Sequence, residues 1–145
     1  MIDETFFSEE VCYPDNVKKY SLSKPPIKQS NMALLFTRLL SKALLPLIRK
    51  GHKLEKINMN GLKPPYILLS NHMQFMDFAV LFDAMYPERF NLVAANHVYY
   101  KDYALLEKLG CMCTRKFITD IALVRNCHRV LQEYGDIFAM FPEAR

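Results

Sequence analysis

The stretch Pro65-Tyr66-Ile67-Leu68-Leu69-Ser70-Asn71-His72-Met73-Gln74-Phe75-Met76-Asp77 decides how this chain is read. Its first half is a short, continuous apolar run bounded by turn-forming residues, the pattern of a buried strand. Its second half turns polar and then enters Asp77–Met85, where the apolar spacing becomes helical. A strand that passes through a polar turn into a helix opens a β-α unit, and the alternation continues from there. Phe90–Ala95 reads as a short strand, residues 101–109 as a helix stopped at Gly110, and Cys111–Thr114 as another short strand. Thr119 or Asp120 caps a helix running to about Tyr134, Gly135 ends it, and residues 137–141 form a last buried strand. The expected fold is therefore α/β, a largely parallel sheet with covering helices. Ligands of such sheets bind beyond the carboxyl ends of the strands, so residues that follow a strand are the candidates for chemistry.

Upstream of this alternation the chain has a different character. Residues 1–30 read as an N-terminal tail ending in Lys24-Pro25-Pro26, a helix-breaking linker signal. Ser30 or Asn31 then caps a helix over residues 31–50, with Pro46 expected to kink its last turn. Met32, Leu34, Leu35, Phe36, Leu39, Leu40 and Leu44 make it strongly apolar, while Arg38, Lys42 and Arg49 recur at spacings that place them along one stripe. A purely cationic polar face on so apolar a helix points to an amphipathic helix lying in a membrane interface. A helix packed on its own domain is the competing reading. After Gly51 the period changes, residues 53–59 alternate weakly, and Asn60-Gly61 offers a turn.

Composition narrows the class. A chain of 145 residues is one domain in size, and 51% hydrophobic with 23% charged residues supports a core and argues against wholesale disorder. The net charge of +4 falls short of the dense Lys/Arg clustering of nucleic-acid binders, and fits an anionic lipid surface or a phosphorylated substrate. Residues 1–10 are acidic rather than basic-then-apolar, which is not a secretory pattern. Cys12, Cys111, Cys113 and Cys127 accordingly read as reduced thiols of a cytoplasmic protein. No run of 18 apolar residues offers a membrane span, so any membrane contact is expected to be peripheral, on the cytoplasmic face. The Cys-x-Cys of residues 111–113 and the Cys127-His128 pair lack zinc-ligand spacing, and no metal is expected.

Two segments carry candidate chemistry. In Asn71-His72 with Asp77, an imidazole near neutral pKa is suited to taking a proton from an alcohol. A carboxylate on its other nitrogen would fix the tautomer and stabilise the imidazolium that forms. The turn into the helix lets Asp77 fold back onto His72, although Asp77 as a plain helix cap is the ordinary alternative. In Phe141-Pro142-Glu143-Ala144-Arg145, proline stops the strand and drops Glu143 and Arg145 beyond the sheet. Taken alone, this too is an ordinary surface loop.

Taken together, and with Gly110 to Arg115 between them, the segments resemble the lysophospholipid and glycerol-phosphate acyltransferase family, marked by N-H-x-x-x-x-D, a Gly-to-Arg segment and F-P-E-G-T-R. The resemblance covers residues from about 50 onward. It implies a one-step transfer of a fatty acyl group from acyl-CoA or an acyl carrier protein to the free hydroxyl of a lysophospholipid such as 1-acyl-glycerol-3-phosphate, in phospholipid biosynthesis. No cofactor beyond that acyl carrier is implied. By the same resemblance His72 is the general base with Asp77 as its partner, Glu143 positions the acceptor, and Arg115 and Arg145 grip its phosphate. Asn71, Gly110, Phe141 and Pro142 support the motifs. The chain departs from the family in two places. Ala144 stands where Gly-Thr is usual, and the segment from Gly110 to Arg115 is one residue short, so Lys116 shares the phosphate role with Arg115 as an alternative. Residues 51–145 then form the catalytic domain. Family members continue well past the third motif, so this domain is expected to be incomplete at its C-terminus. A lipid-binding or scaffolding member with weak catalysis, or a hydrolase of acyl thioesters, are the alternative functions.

Overall fold

The computed structural model describes residues 24–48, 53–72, 76–95, 103–114 and 120–142. Among the described residues four parallel strands form one sheet: β1 (Ile67–Leu69), β2 (Phe90–Ala95), β3 (Cys111–Thr114) and β4 (Ile137–Met140). Their spatial order is β1-β4-β2-β3, so the last strand in sequence lies between the first two. The registers are Leu69 beside Met140, Phe90 beside Ile137, and Leu92 beside Cys111. The described helices are α1 (Asn31–Ile48), α2 (Asp77–Met85), α3 (Tyr103–Lys108) and α4 (Ile121–Arg129), which continues as a π-helical turn, Val130–Tyr134.

This order explains the layering. The chain moves the same way across the sheet from β1 to β2 to β3, then back from β3 to β4. Right-handed crossovers put the first two connecting helices on one face and the third on the other. The packing agrees: Leu81, Phe82 and Met85 of α2, with Leu106 and Leu109, meet Phe90, Leu92, Cys111, Ile137 and Ala139. On the opposite face Leu123, Cys127, Val130 and Leu131 meet Val93, Met112, Phe138 and Met140. Odd and even positions of β4 thus serve different layers, as the two-residue period of a strand requires.

α1 divides its apolar residues between two rows. Leu34, Thr37, Ser41 and Leu45 are buried, and the helix packs along α2. Ser30 Oγ accepts from Ala33 N at 3.1 Å and starts the helix, and the buried Thr37 hydroxyl donates to Leu34 O at 2.9 Å. Met32, Leu35, Phe36, Leu39 and Leu40 stay exposed. The cationic stripe therefore runs between an inner and an outer apolar row, rather than opposite a single one. Arg38 lies over the Tyr86 ring, 3.7 Å from its centroid, Lys42 is exposed, and Arg49 lies outside the described residues.

Residues 24–30, which the sequence assigns to the tail, are laced across the amino-terminal ends of the strands. Asn126 Nδ2 donates to Lys24 O, Tyr134 Oη to Pro26 O at 2.7 Å, and Asn91 Nδ2 to Ile27 O at 2.9 Å. Lys24 pairs with Glu107, and Lys28 Nζ donates to Tyr134 O at 2.7 Å. Gly110 turns the chain into β3 at this end with φ +83; a Cβ there would stand 3.1 Å from Phe90 O and 3.3 Å from Asn91 Nδ2. Positive φ and the lack of space both favour glycine.

Asp136 sits under this strap, 3.9 Å from Lys28 Nζ, an ion pair too long to be a hydrogen bond. Burial pushes its carboxyl above the usual range, Glu88 adds to the effect, and Lys28 and Arg89 pull the other way. The folded state thus binds the Asp136 proton more tightly than the unfolded state does. The group's contribution to stability is complete below the ordinary aspartate range and is lost as pH rises through the raised value. Asp136→Asn should flatten the dependence of urea-unfolding midpoints on pH just above the ordinary aspartate range. A slope equal to wild type would contradict the assignment.

Candidate functional site

The dyad of the sequence reading is brought together. β1 ends at Leu69, and Ser70 N donates to Met140 O at 3.2 Å, extending the β1–β4 pairing by one residue before the two chains part. Asn71 is exposed and His72 half-buried just beyond this point. α2 begins with Asp77 in its first turn, and Met76 at the cap position makes no side-chain cap hydrogen bond. The Asp77 carboxylate turns back to His72, with Nδ1 to Oδ2 at 3.1 Å. A carboxylate only accepts, so this contact requires the proton on Nδ1, and in the neutral imidazole the lone pair is then on Nε2. The two side chains keep 30% and 22% of their exposure, so part of the pair meets solvent.

Phe141, one residue past β4, lies against the same imidazole. Its ring centroid is 4.6 Å from that of His72, with 25° between the planes. On sequence grounds Phe141 stood only as a motif-supporting residue. The contact was not legible because it depends on β1 and β4 being neighbours, which no local pattern states. Pro142 follows in an exposed turn. Gly110 belongs to the opposite end of the sheet, where it shapes the strap rather than the site.

Arg115, Lys116, Glu143 and Arg145 lie outside the described residues. Their attachment points are defined. Arg115 and Lys116 follow Thr114 at the carboxyl end of β3, and Glu143 and Arg145 follow Pro142 beyond β4. Two interstrand spacings, roughly 10 Å, separate those ends. Both therefore leave from the side of the sheet that carries His72.

Cys111 and Cys127 are not activated as nucleophiles. Deep burial pushes the Cys111 thiol up to about 12, and burial raises that of Cys127 as well. Among the described residues, no three His, Cys, Asp or Glu side chains gather as a metal site would need. Comparisons with protein-family models, with curated proteins and with solved structures each found no match to this chain.

The segment bearing Arg115 and Lys116 is bounded by a local device. Asp120 caps α4 by accepting from Leu123 N at 3.1 Å, and its other oxygen accepts from the Thr114 hydroxyl at 3.4 Å. One carboxylate thus ties the end of β3 to the start of α4. Asp120→Ala should destabilise the chain by about 1 kcal/mol, within the usual range for a lost cap, as read from denaturant melts. An unchanged midpoint would show that this tie contributes nothing.

Proposed function

We propose that this chain transfers a fatty acyl group from an acyl thioester, acyl-CoA or acyl carrier protein, to the free hydroxyl of a lysophospholipid such as 1-acyl-glycerol-3-phosphate. The observation that carries this reading is the His72–Asp77 pair at the carboxyl end of β1, in which Asp77 meets Nδ1. As the acceptor oxygen attacks the thioester carbonyl, Nε2 takes its proton, and Asp77 stabilises the imidazolium. The tetrahedral intermediate collapses, the C–S bond breaks, and the imidazolium returns the proton to the departing thiolate. Atoms and charge balance without a covalent acyl-enzyme, and the chain carries no G-x-S-x-G nucleophile turn. In this reading Glu143 positions the acceptor. Arg145, with Arg115 or Lys116, holds its phosphate, a task to which the planar guanidinium is suited.

A lipid acceptor has to be met at a membrane surface, and α1 supports such a meeting. Its outer row, Met32, Leu35, Phe36 and Leu39, is exposed beside Lys42, and the helix packs on α2, whose first residue is Asp77. Among the described residues no helix is long and apolar enough to cross a membrane. The proposal is therefore peripheral attachment at the cytoplasmic face, with apolar side chains among the acyl chains and cations at the headgroups.

An acceptor screen with one radiolabelled acyl-CoA tests the reaction. Labelled phospholipid formed only with a lysophospholipid present supports it. Free fatty acid released without an acceptor would favour a hydrolase, and binding without turnover a scaffolding protein. With the preferred acceptor, His72→Ala should lose on the order of 10²-fold or more in rate. Asp77→Asn should lower kcat with little change in KM, and the double variant should be hardly worse than His72→Ala alone. Losses that simply multiply in well-folded protein would exclude a coupled dyad.

Vesicle sedimentation tests the membrane reading. Binding should favour anionic over neutral lipid and weaken with salt, since surface charges are screened over roughly 10 Å at 0.1 M. Equal binding to both lipids at low salt would remove the electrostatic part of the proposal.

A further inference from the structure

We infer that Phe141 is a positioning residue for His72: its ring fixes the plane of the imidazole, while Asp77 selects which edge of that plane carries the proton. The inference goes beyond the dyad, and its kinetic arm rests on the acyl-transfer reading.

Two separate constraints are needed to orient an imidazole. The bond between Cβ and the ring is a torsion to an sp² centre, with broad and roughly two-fold preferences. One hydrogen bond at the Nδ1 edge discriminates between the two flipped states, but leaves the ring free to rock about that contact. A flat neighbour does the reverse, because a half-turn preserves the plane and rocking destroys it. His72 has one constraint of each kind: Asp77 Oδ2 at 3.1 Å from Nδ1, and the Phe141 ring stacked at 4.6 Å and 25°. With one edge and one face occupied, 30% of the side chain is still exposed.

Phe141 is built to hold that position. It follows Met140 directly, and the Ser70 N to Met140 O bond fixes where the β1 and β4 chains separate. By strand parity it shares a face with Ile137 and Ala139, and it packs against their core layer. Both Ile137 and Ala139 are fully buried. Phe78, next to Asp77, packs into the same layer. The base and its carboxylate are thus each adjoined by a phenylalanine seated in one core, so the pair is referenced to the sheet rather than to its own loop. A general base must sit within a few tenths of an ångström of its productive place, which a polar turn alone does not secure.

Long-range ¹H–¹⁵N spectra of the full chain, with the His72 signals identified by their loss in His72→Ala, test the inference without reference to activity. In wild type the carbon-bound ring protons of His72 should be displaced upfield by the Phe141 ring current, and the Nδ1-protonated tautomer should dominate. Phe141→Leu keeps apolar bulk, and should lose the upfield displacement while keeping the Nδ1-protonated tautomer that Asp77 selects. In the acyl-transfer assay it should lower kcat on the order of 10- to 10²-fold, the scale of a misplaced reacting group, with both KM values little changed. Phe141→Tyr, which keeps the ring, should restore spectrum and rate together. Unchanged His72 signals in a Phe141→Leu variant that melts like wild type would overturn the inference. If that variant does not fold, the wild-type spectrum decides, since absence of the upfield displacement there overturns it equally. A wild type that never transfers acyl groups would defeat the acyltransferase reading, and the His72 spectra would still decide the positioning role.

Discussion

The insertion of β4 between β1 and β2 is the constraint on which the other features depend. Ile137, Phe138 and Ala139 are buried, and the strand pairs with a neighbour on each side. Burying a large apolar side chain contributes roughly 1.5–3 kcal/mol. Two of these three residues thus supply an amount comparable with much of the 5–15 kcal/mol margin of an ordinary domain. Without β4, β1 would have no partner within this sheet. The same strand supplies both layers of the core from alternate positions, and it ends where Phe141 can reach the residue that follows β1.

The two ends of the sheet carry different kinds of interaction. At the amino-terminal end, carbonyls of residues 24–27 meet Asn91, Asn126 and Tyr134, and two lysines face Glu107 and Asp136. These contacts tie the segment down within the chain, although Asn91 Oδ1 and Asp136 Oδ2 are buried there without a hydrogen-bond partner among the described residues. At the carboxyl end, His72 keeps partial exposure, and the chain leaves β3 and β4 toward segments rich in charge. That asymmetry follows the general preference of parallel sheets for ligands beyond their carboxyl ends.

Much of this was legible in the sequence where the signal was local. The apolar run at 65–70 contains β1, but as an edge strand that leaves Ile67 and Leu69 exposed rather than the buried strand expected. The Gly110 and Gly135 stops fall at φ +83 and +65, and Asp120 rather than Thr119 proves to be the cap of α4. The approach of Asp77 to His72 spans only five residues, so strand-to-helix geometry was enough to anticipate it. Strand order was not legible, because parallel pairing depends on crossovers and not on any local period. The stack of Phe141 on His72 was hidden for that reason. The strap was hidden for another: Lys24-Pro25-Pro26 carries the composition of a free linker, and its partners lie 64 to 108 positions away in the chain. The π-helical turn at Val130–Tyr134 left no mark in the apolar spacing that foretold a helix there.

The way the strap is held has an evolutionary consequence. Asn91, Asn126 and Tyr134 grip main-chain carbonyls, which every residue type presents alike, while Pro25 and Ile27 face solvent. Substitution at those two exposed positions leaves the grip intact, so they are free to drift as long as the extended backbone is kept. The memory of the contact is stored in the groove. Among descendants of this chain, the partnership would be traced by an asparagine in the second strand and a tyrosine before the fourth, long after the strap's own letters had become unrecognisable.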